Sequence, residues 1–237
     1  MNIQIDIKKL IIFIIAFVIF TAIGAVSHEY GHILLAKSFG YDTFLHYGSM
    51  NYSFGELKDK LDDIHTDYKT DIENGTDFEK KAEYQRGLKK LASNGFWIAI
   101  GGPLQTILTG TIGLLFLIYR KKKIKLYGLK FIDWLAVFLT LFWLREVFNL
   151  VISIIDEMIA PIGSWFGGDE KDISIYLNLW EGTFSVVLGL IGLFITLFVI
   201  YKVIPNRLRF SFIIGGVFGG SIGFYLWMFV IGPIILP

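Results

Sequence analysis

Five stretches of this chain are apolar over about the length a lipid bilayer demands, and no other feature restricts its fold as much. A helix rises about 1.5 Å per residue and the hydrocarbon core is about 30 Å thick, so a crossing needs about 20 mostly apolar residues. The qualifying segments run roughly from Leu10 to Ser38, Leu91 to Tyr119, Phe131 to Ile155, Gly182 to Tyr201 and Phe210 to Ile235. The hydrophobic share of 54% and the mean hydropathy of +0.59 lie above those of a soluble domain. The expected architecture is therefore an all-α, multi-pass protein of one membrane domain over residues 1–237, with the bilayer as its main partner. Lys8 and Lys9 precede the first run as in a signal peptide. No small-residue cleavage pattern interrupts it before His28, which predicts a retained first helix.

The segment from Tyr41 to Lys90 is of another kind. Its front part, "YDTFLHYGSMNYSFGE", mixes aromatic and polar residues around Gly48-Ser49 and reads as a short hairpin. The charged part from Glu56 to Lys90 predicts one or two exposed helices with a break near Asn74-Gly75.

Charge placement predicts the orientation. The 22 basic and 21 acidic residues nearly cancel, which leaves no global basic surface for nucleic acid. The connection "RKKKIKLYGLK" carries six bases and "YKVIPNRLR" three, neither with an acid, whereas Asp156 to Glu181 holds six acids and one lysine. An excess of Lys and Arg in short loops marks the cytoplasmic side. The N-terminus is thus expected inside, the C-terminus outside, and the His28 end of the first helix toward the outer face. The expected setting is a prokaryotic cell membrane.

Within the first apolar run stands "SHEYGH". On a helix, residues four apart share a face, so His28 and His32 can present ring nitrogens to one metal ion. Glu29 is placed one step round, as a base for an attacking water. With four histidines in the chain, a chance H-E-x-x-H is expected on the order of once in several hundred such sequences. Ionisable groups in a spanning helix are costly and point to a site. The chain has no cysteine, so any metal must be held by His, Asp or Glu. Arg145, Glu146 and Asn149 lie in the third run, where an unpaired charge costs at least a few kcal/mol. An Arg145–Glu146 structural pair and a role for Arg145 near a substrate are both open.

A His-Glu-x-x-His in the first membrane helix, with a Gly-Pro motif in the second, resembles the site-2 protease family of intramembrane zinc metalloproteases. The resemblance covers the first three spans and the loop after them. It implies Zn²⁺ as cofactor, Glu29 as catalytic base, His28 and His32 as ligands, and a transmembrane protein segment as substrate. It also implies a substrate-positioning role for Gly102 and Pro103 of "GGPLQT". Thr106 takes the position of the family's asparagine, with Gln105 beside it; the family places another asparagine in the region of Asn149, and Asn149 and Arg145 are further candidates for positioning a substrate. The family's third ligand is an aspartate in this part of the chain, but the usual Leu-Asp-Gly pattern is absent. Asp169 of "FGGDEKDI" is the first choice, Asp156 the second and Asp172 the third. A membrane metalloprotease of another H-E-x-x-H family, acting on soluble or prenylated peptides, would instead use Glu146 or Glu157. A metal-binding scaffold without hydrolysis is the third reading. The last run has small-xxx-small spacing, Gly215/Gly219/Gly223 and Gly216/Gly220, which suits close packing within the chain or self-association.

Overall fold

The computed structural model describes residues 5–161 and 163–237. Helix α1 (Ile7–Ser38) starts where the Asp6 carboxylate accepts from the Lys9 amide, an N-cap that satisfies a free donor. An antiparallel hairpin follows, β1 (Asp42–Leu45) paired with β2 (Met50–Ser53), as the sequence suggests. Helices α2 (Gly55–Asp67) and α3 (Lys69–Asn74) come next, and α3 ends at Gly75. The expected break is there, but the second exposed helix is short. Residues 81–90, assigned to the charged insert by their polarity, instead open α4 (Lys81–Tyr127), a 47-residue helix. Lys81–Ala92 is rich in good helix formers and contains no proline, so polarity changes along α4 while the backbone does not.

The remaining helices are α5 (Phe131–Thr140), α6 (Leu144–Ile159), α7 (Gly168–Tyr176), α8 (Thr183–Phe198), α9 (Asn206–Leu226) and the single turn α10 (Gly232–Ile235). A 3₁₀ turn, Leu141–Trp143, joins α5 to α6, and wider turns at Val199–Val203 and Trp227–Ile231 prolong α8 and α9. Five of these units are long and apolar enough to cross a membrane: Ile7–Ser38, Lys81–Tyr127, Phe131–Ile159, Thr183–Val203 and Asn206–Ile235. Their ends extend beyond most of the boundaries read from hydropathy, because helices continue until a cap or a breaker stops them.

An aromatic core joins α1, α5 and α9. Phe13 lies 5.1 Å from Trp134 and 5.2 Å from Phe212, and Phe17 lies 5.1 Å from Phe138, all between ring centroids. The glycine stripe Gly215/Gly219/Gly223 of α9 is taken up within the chain, where a Cβ would run into Phe13, Ile14, Phe17, Val18 and Thr21 of α1. Beyond this core, the fully buried Asp133 accepts from the Arg120 guanidinium and from the Lys130 amide, fixing the α4–α5 turn. At the opposite end, the hairpin tip is clasped to the final helices. Trp227 Nε1 donates to the Tyr47 carbonyl at 2.7 Å, and the Tyr47 amide to that of Leu236 at 3.0 Å.

Candidate metal centre

The site forms where α1 and α4 touch backbone to backbone. Gly31 of α1 and Gly101 of α4 oppose each other, and a Cβ on either would overlap the other's carbonyl group. That approach sets His28 and His32, one turn apart on α1, over the next residue of α4, Gly102. A Cβ on Gly102 would collide with Nε2 of both rings, so the two nitrogens converge on a space that only glycine leaves free.

The far nitrogens are held by α4. His32 Nδ1 lies 2.6 Å from the Ile98 carbonyl, and His28 Nδ1 lies 2.9 Å from Thr106 Oγ1. The Gly102 amide is also 3.3 Å from His32 Nδ1, but the shorter contact to a carbonyl oxygen makes that nitrogen the donor. A proton on Nδ1 is what a metal-ligating imidazole needs to keep Nε2 for the ion.

The third group arrives from α7. Gly168 has φ +72°, a backbone conformation that suits glycine, and the turn delivers Asp169 onto the histidines. Asp169 Oδ2 lies 3.1 Å from His28 Nε2 and 3.2 Å from His32 Nε2. Burial acts to raise the Asp169 carboxyl, yet its hydrogen bonds to the two rings outweigh that and hold it well below the usual carboxylate range.

These atoms could hold a metal ion, and their spacing can be set against tetrahedral coordination. Two bonds of about 2.0–2.1 Å meeting at a tetrahedral angle put ligand atoms about 3.3 Å apart, close to the separations made with Asp169. Ligand atoms of His28, Glu29 and His32 also lie within 4.8 Å of one another. One Asp169 oxygen reaches both rings, whereas Glu29 lines the neighbouring cleft, so Asp169 is placed where a third ligand could be supplied.

The other candidate acids are placed elsewhere. Asp156 is exposed near the end of α6 and Asp172 is exposed on α7. Glu157 accepts from the Gly163 amide at 3.0 Å. Glu146 is 2% exposed and lies against the carboxyl of Glu170, itself 1% exposed, which also accepts from Asn149 Nδ2 at 3.3 Å. This α6–α7 contact, unread in the sequence, seats the helix that carries Asp169. No Arg145–Glu146 pair forms, since neighbouring helical residues point about 100° apart. Thr106 faces His28 and also borders the cleft beside Glu29. Gln105 donates to Thr109 Oγ1 at 3.0 Å and packs against Gly31. Pro103 is buried within α4, which continues through it.

Beside Glu29 opens a cleft of about 680 Å³ between α1, α6 and α9. Its walls are apolar, with Phe17, Phe20, Phe138 and Phe142 among them, and its polar end holds Glu29, Thr106, Arg145 and Asn149. Gly216 and Gly220, the second glycine pair of α9, also line it. Of the other histidines, His46 Nδ1 lies 2.6 Å from the Pro237 carbonyl, and His65 packs near Tyr84. Comparison with models of protein families, with curated proteins and with solved structures finds no match to this chain.

Proposed function

We propose that the chain is an intramembrane zinc metalloprotease, similar in chemistry to site-2 proteases, acting on membrane-embedded or membrane-proximal protein segments. The observation that carries this reading is the convergence of His28 Nε2, His32 Nε2 and Asp169 Oδ2 above Gly102, with Glu29 alongside at an apolar cleft. Placement in a bilayer is supported by the flanks of the bundle. Ile11, Ile12, Ile15 and Ile19 of α1 and Leu104, Leu108, Ile112 and Leu115 of α4 all face outward. Such a belt suits lipid better than water. The loop charges favour an N-terminus on the cytoplasmic side.

His28, His32 and Asp169 would hold Zn²⁺, which when bound supplies the Lewis acidity that makes water a nucleophile near neutral pH. Glu29 takes the proton as the water oxygen bonds to the peptide carbonyl carbon, and the π electron pair moves onto the carbonyl oxygen. Glu29 then returns the proton to the amide nitrogen as the carbon–nitrogen bond breaks, releasing an amine and a carboxylic acid. Phe17, Phe20 and their neighbours keep bulk water from the cleft. The segment to be cut must unwind locally, because a helical carbonyl is already hydrogen-bonded to its own chain.

A reading with Glu146 or Glu157 as third ligand has less support, since Glu146 faces Glu170 and Glu157 accepts from the Gly163 amide. The test is zinc-loaded protein reconstituted with a panel of single-span substrates. Wild type is expected to cleave, and Glu29→Gln to keep its zinc while losing cleavage. Undiminished cleavage by Glu29→Gln would sink the mechanism, and zinc binding by wild type without any hydrolysis would favour a metal-binding scaffold.

A further inference from the structure

Among the described residues, Arg145 is a cation that makes no ion pair. It sits in the first turn of α6 and lines the cleft together with Glu29, Thr106 and Asn149. Its Nε is buried and makes no hydrogen bond, and among the described residues no carboxylate forms an ion pair with its guanidinium. Glu146, its neighbour in sequence, is turned to Glu170. A charge left this way in an apolar enclosure costs several kcal/mol unless something else meets it. Arg145 and Glu29 line the same cleft, which places the guanidinium on the side of the reacting groups.

The chemistry of the missing partner follows from the surroundings. A permanently anionic ligand, such as a phosphate headgroup, would have to enter a cleft walled by Phe17, Phe20, Phe138 and Phe142. An apolar peptide segment fits those walls and is neutral until it reacts. Thr106 Oγ1 accepts from His28 Nδ1, and its hydroxyl is at most a neutral donor, whereas Arg145 brings a full positive charge to the same end of the cleft.

We infer that the Arg145 guanidinium binds the carbonyl oxygen of the peptide bond to be cut and stabilises the negative charge that gathers there. This deepens the protease reading and rests on it. As the water oxygen bonds to the carbonyl carbon and its proton passes to Glu29, the displaced π pair lands on the oxygen facing Arg145. The charge is then met by donors already in place. When the carbon–nitrogen bond breaks, that pair reforms the carbonyl and the charge on the oxygen disappears. Arg145 thus favours the transition state over the bound substrate.

The experiment compares two inhibitors and cleavage on zinc-loaded full chain, using wild type, Arg145→Gln and Arg145→Lys. A hydroxamate peptide engages the metal directly, while a phosphinic peptide mimics the tetrahedral anion. Arg145→Gln is expected to keep its zinc content and hydroxamate affinity, to bind the phosphinic peptide about 10²- to 10³-fold more weakly, and to lose kcat by a similar factor with little change in KM. Arg145→Lys, which keeps the charge but not the planar fork, should recover part of both losses. Equal weakening of the two inhibitors, or a phosphinic affinity within about threefold of wild type, would overturn the assignment of Arg145 alone. A wild-type chain that binds zinc but neither inhibitor would overturn the protease reading as well.

Discussion

Gly31 of α1 and Gly101 of α4 face each other so closely that neither has room for a methyl group. The candidate metal centre is built on that contact, because it sets the height of the two imidazoles above α4. Gly31→Ala and Gly101→Ala should force the helices apart and destabilise the fold by about 1–3 kcal/mol. Thermal unfolding in detergent and zinc content report the two consequences together. A variant that kept both would mean the helices separate without disturbing the histidines.

The third ligand is the next point to check. Asp169→Ala should lose most bound zinc, whereas Asp156→Ala, Asp172→Ala and Glu157→Ala should retain it. Metal analysis of the four purified proteins decides the matter. Retention by Asp169→Ala with loss in any of the other three would reassign the ligand.

Support of the imidazoles is open to measurement too. Thr106→Val keeps the volume but removes the hydroxyl at His28 Nδ1, and second-layer changes of this kind cost about 10- to 100-fold in metal affinity. Thr106→Ser should restore most of it. Competition with a zinc-selective dye gives the numbers.

Acid affects the metal-free protein in a defined way. The Asp169 carboxyl is held below its ordinary range by the two histidines. Its contribution to stability is therefore present above the unfolded carboxylate value of about 3.9 and is lost only as pH falls through the lower folded value. Hydrogen exchange of residues 168–176 should show α7 still docked at pH 4, and Asp169→Asn should release it there. Zinc must displace the proton held between Asp169 and His32, so uptake near neutral pH should release a proton, seen as a buffer-dependent binding enthalpy.

Glu146 and Glu170 press two carboxyl groups together in a buried place. Glu146→Gln supplies an amide donor to that contact and is expected to raise the thermal midpoint at pH 7.5 while leaving zinc content unchanged. Loss of zinc would make Glu146 a ligand instead.

The hydropathy of the chain made the long helices legible, and the H-E-x-x-H spacing made the shared face of His28 and His32 legible, because both depend on local period. The extent of α4 was not, since its first turns are charged and its continuity is a property of the backbone rather than of polarity. Gly31, inside the motif itself, was a readable sign of close approach, as a mid-helix glycine costs about 1 kcal/mol. What the sequence could not supply was pairing across long separations. Thr106 with His28, and Glu146 with Glu170, follow from how α4 and α7 lean on the bundle, and no spacing rule encodes that. Asp169 was favoured for its glycine turn, and only the tertiary fold brings its oxygen to both rings.

The length of α4 has a mechanical consequence. At about 1.5 Å per residue, its 47 residues form a rod of about 70 Å. Its outer turns pack against α2, and the Ile98 carbonyl and Thr106 hydroxyl lie midway along the same rod. Both braces of the imidazole pair therefore belong to one helix, and a load that tilts that helix as a whole moves both braces.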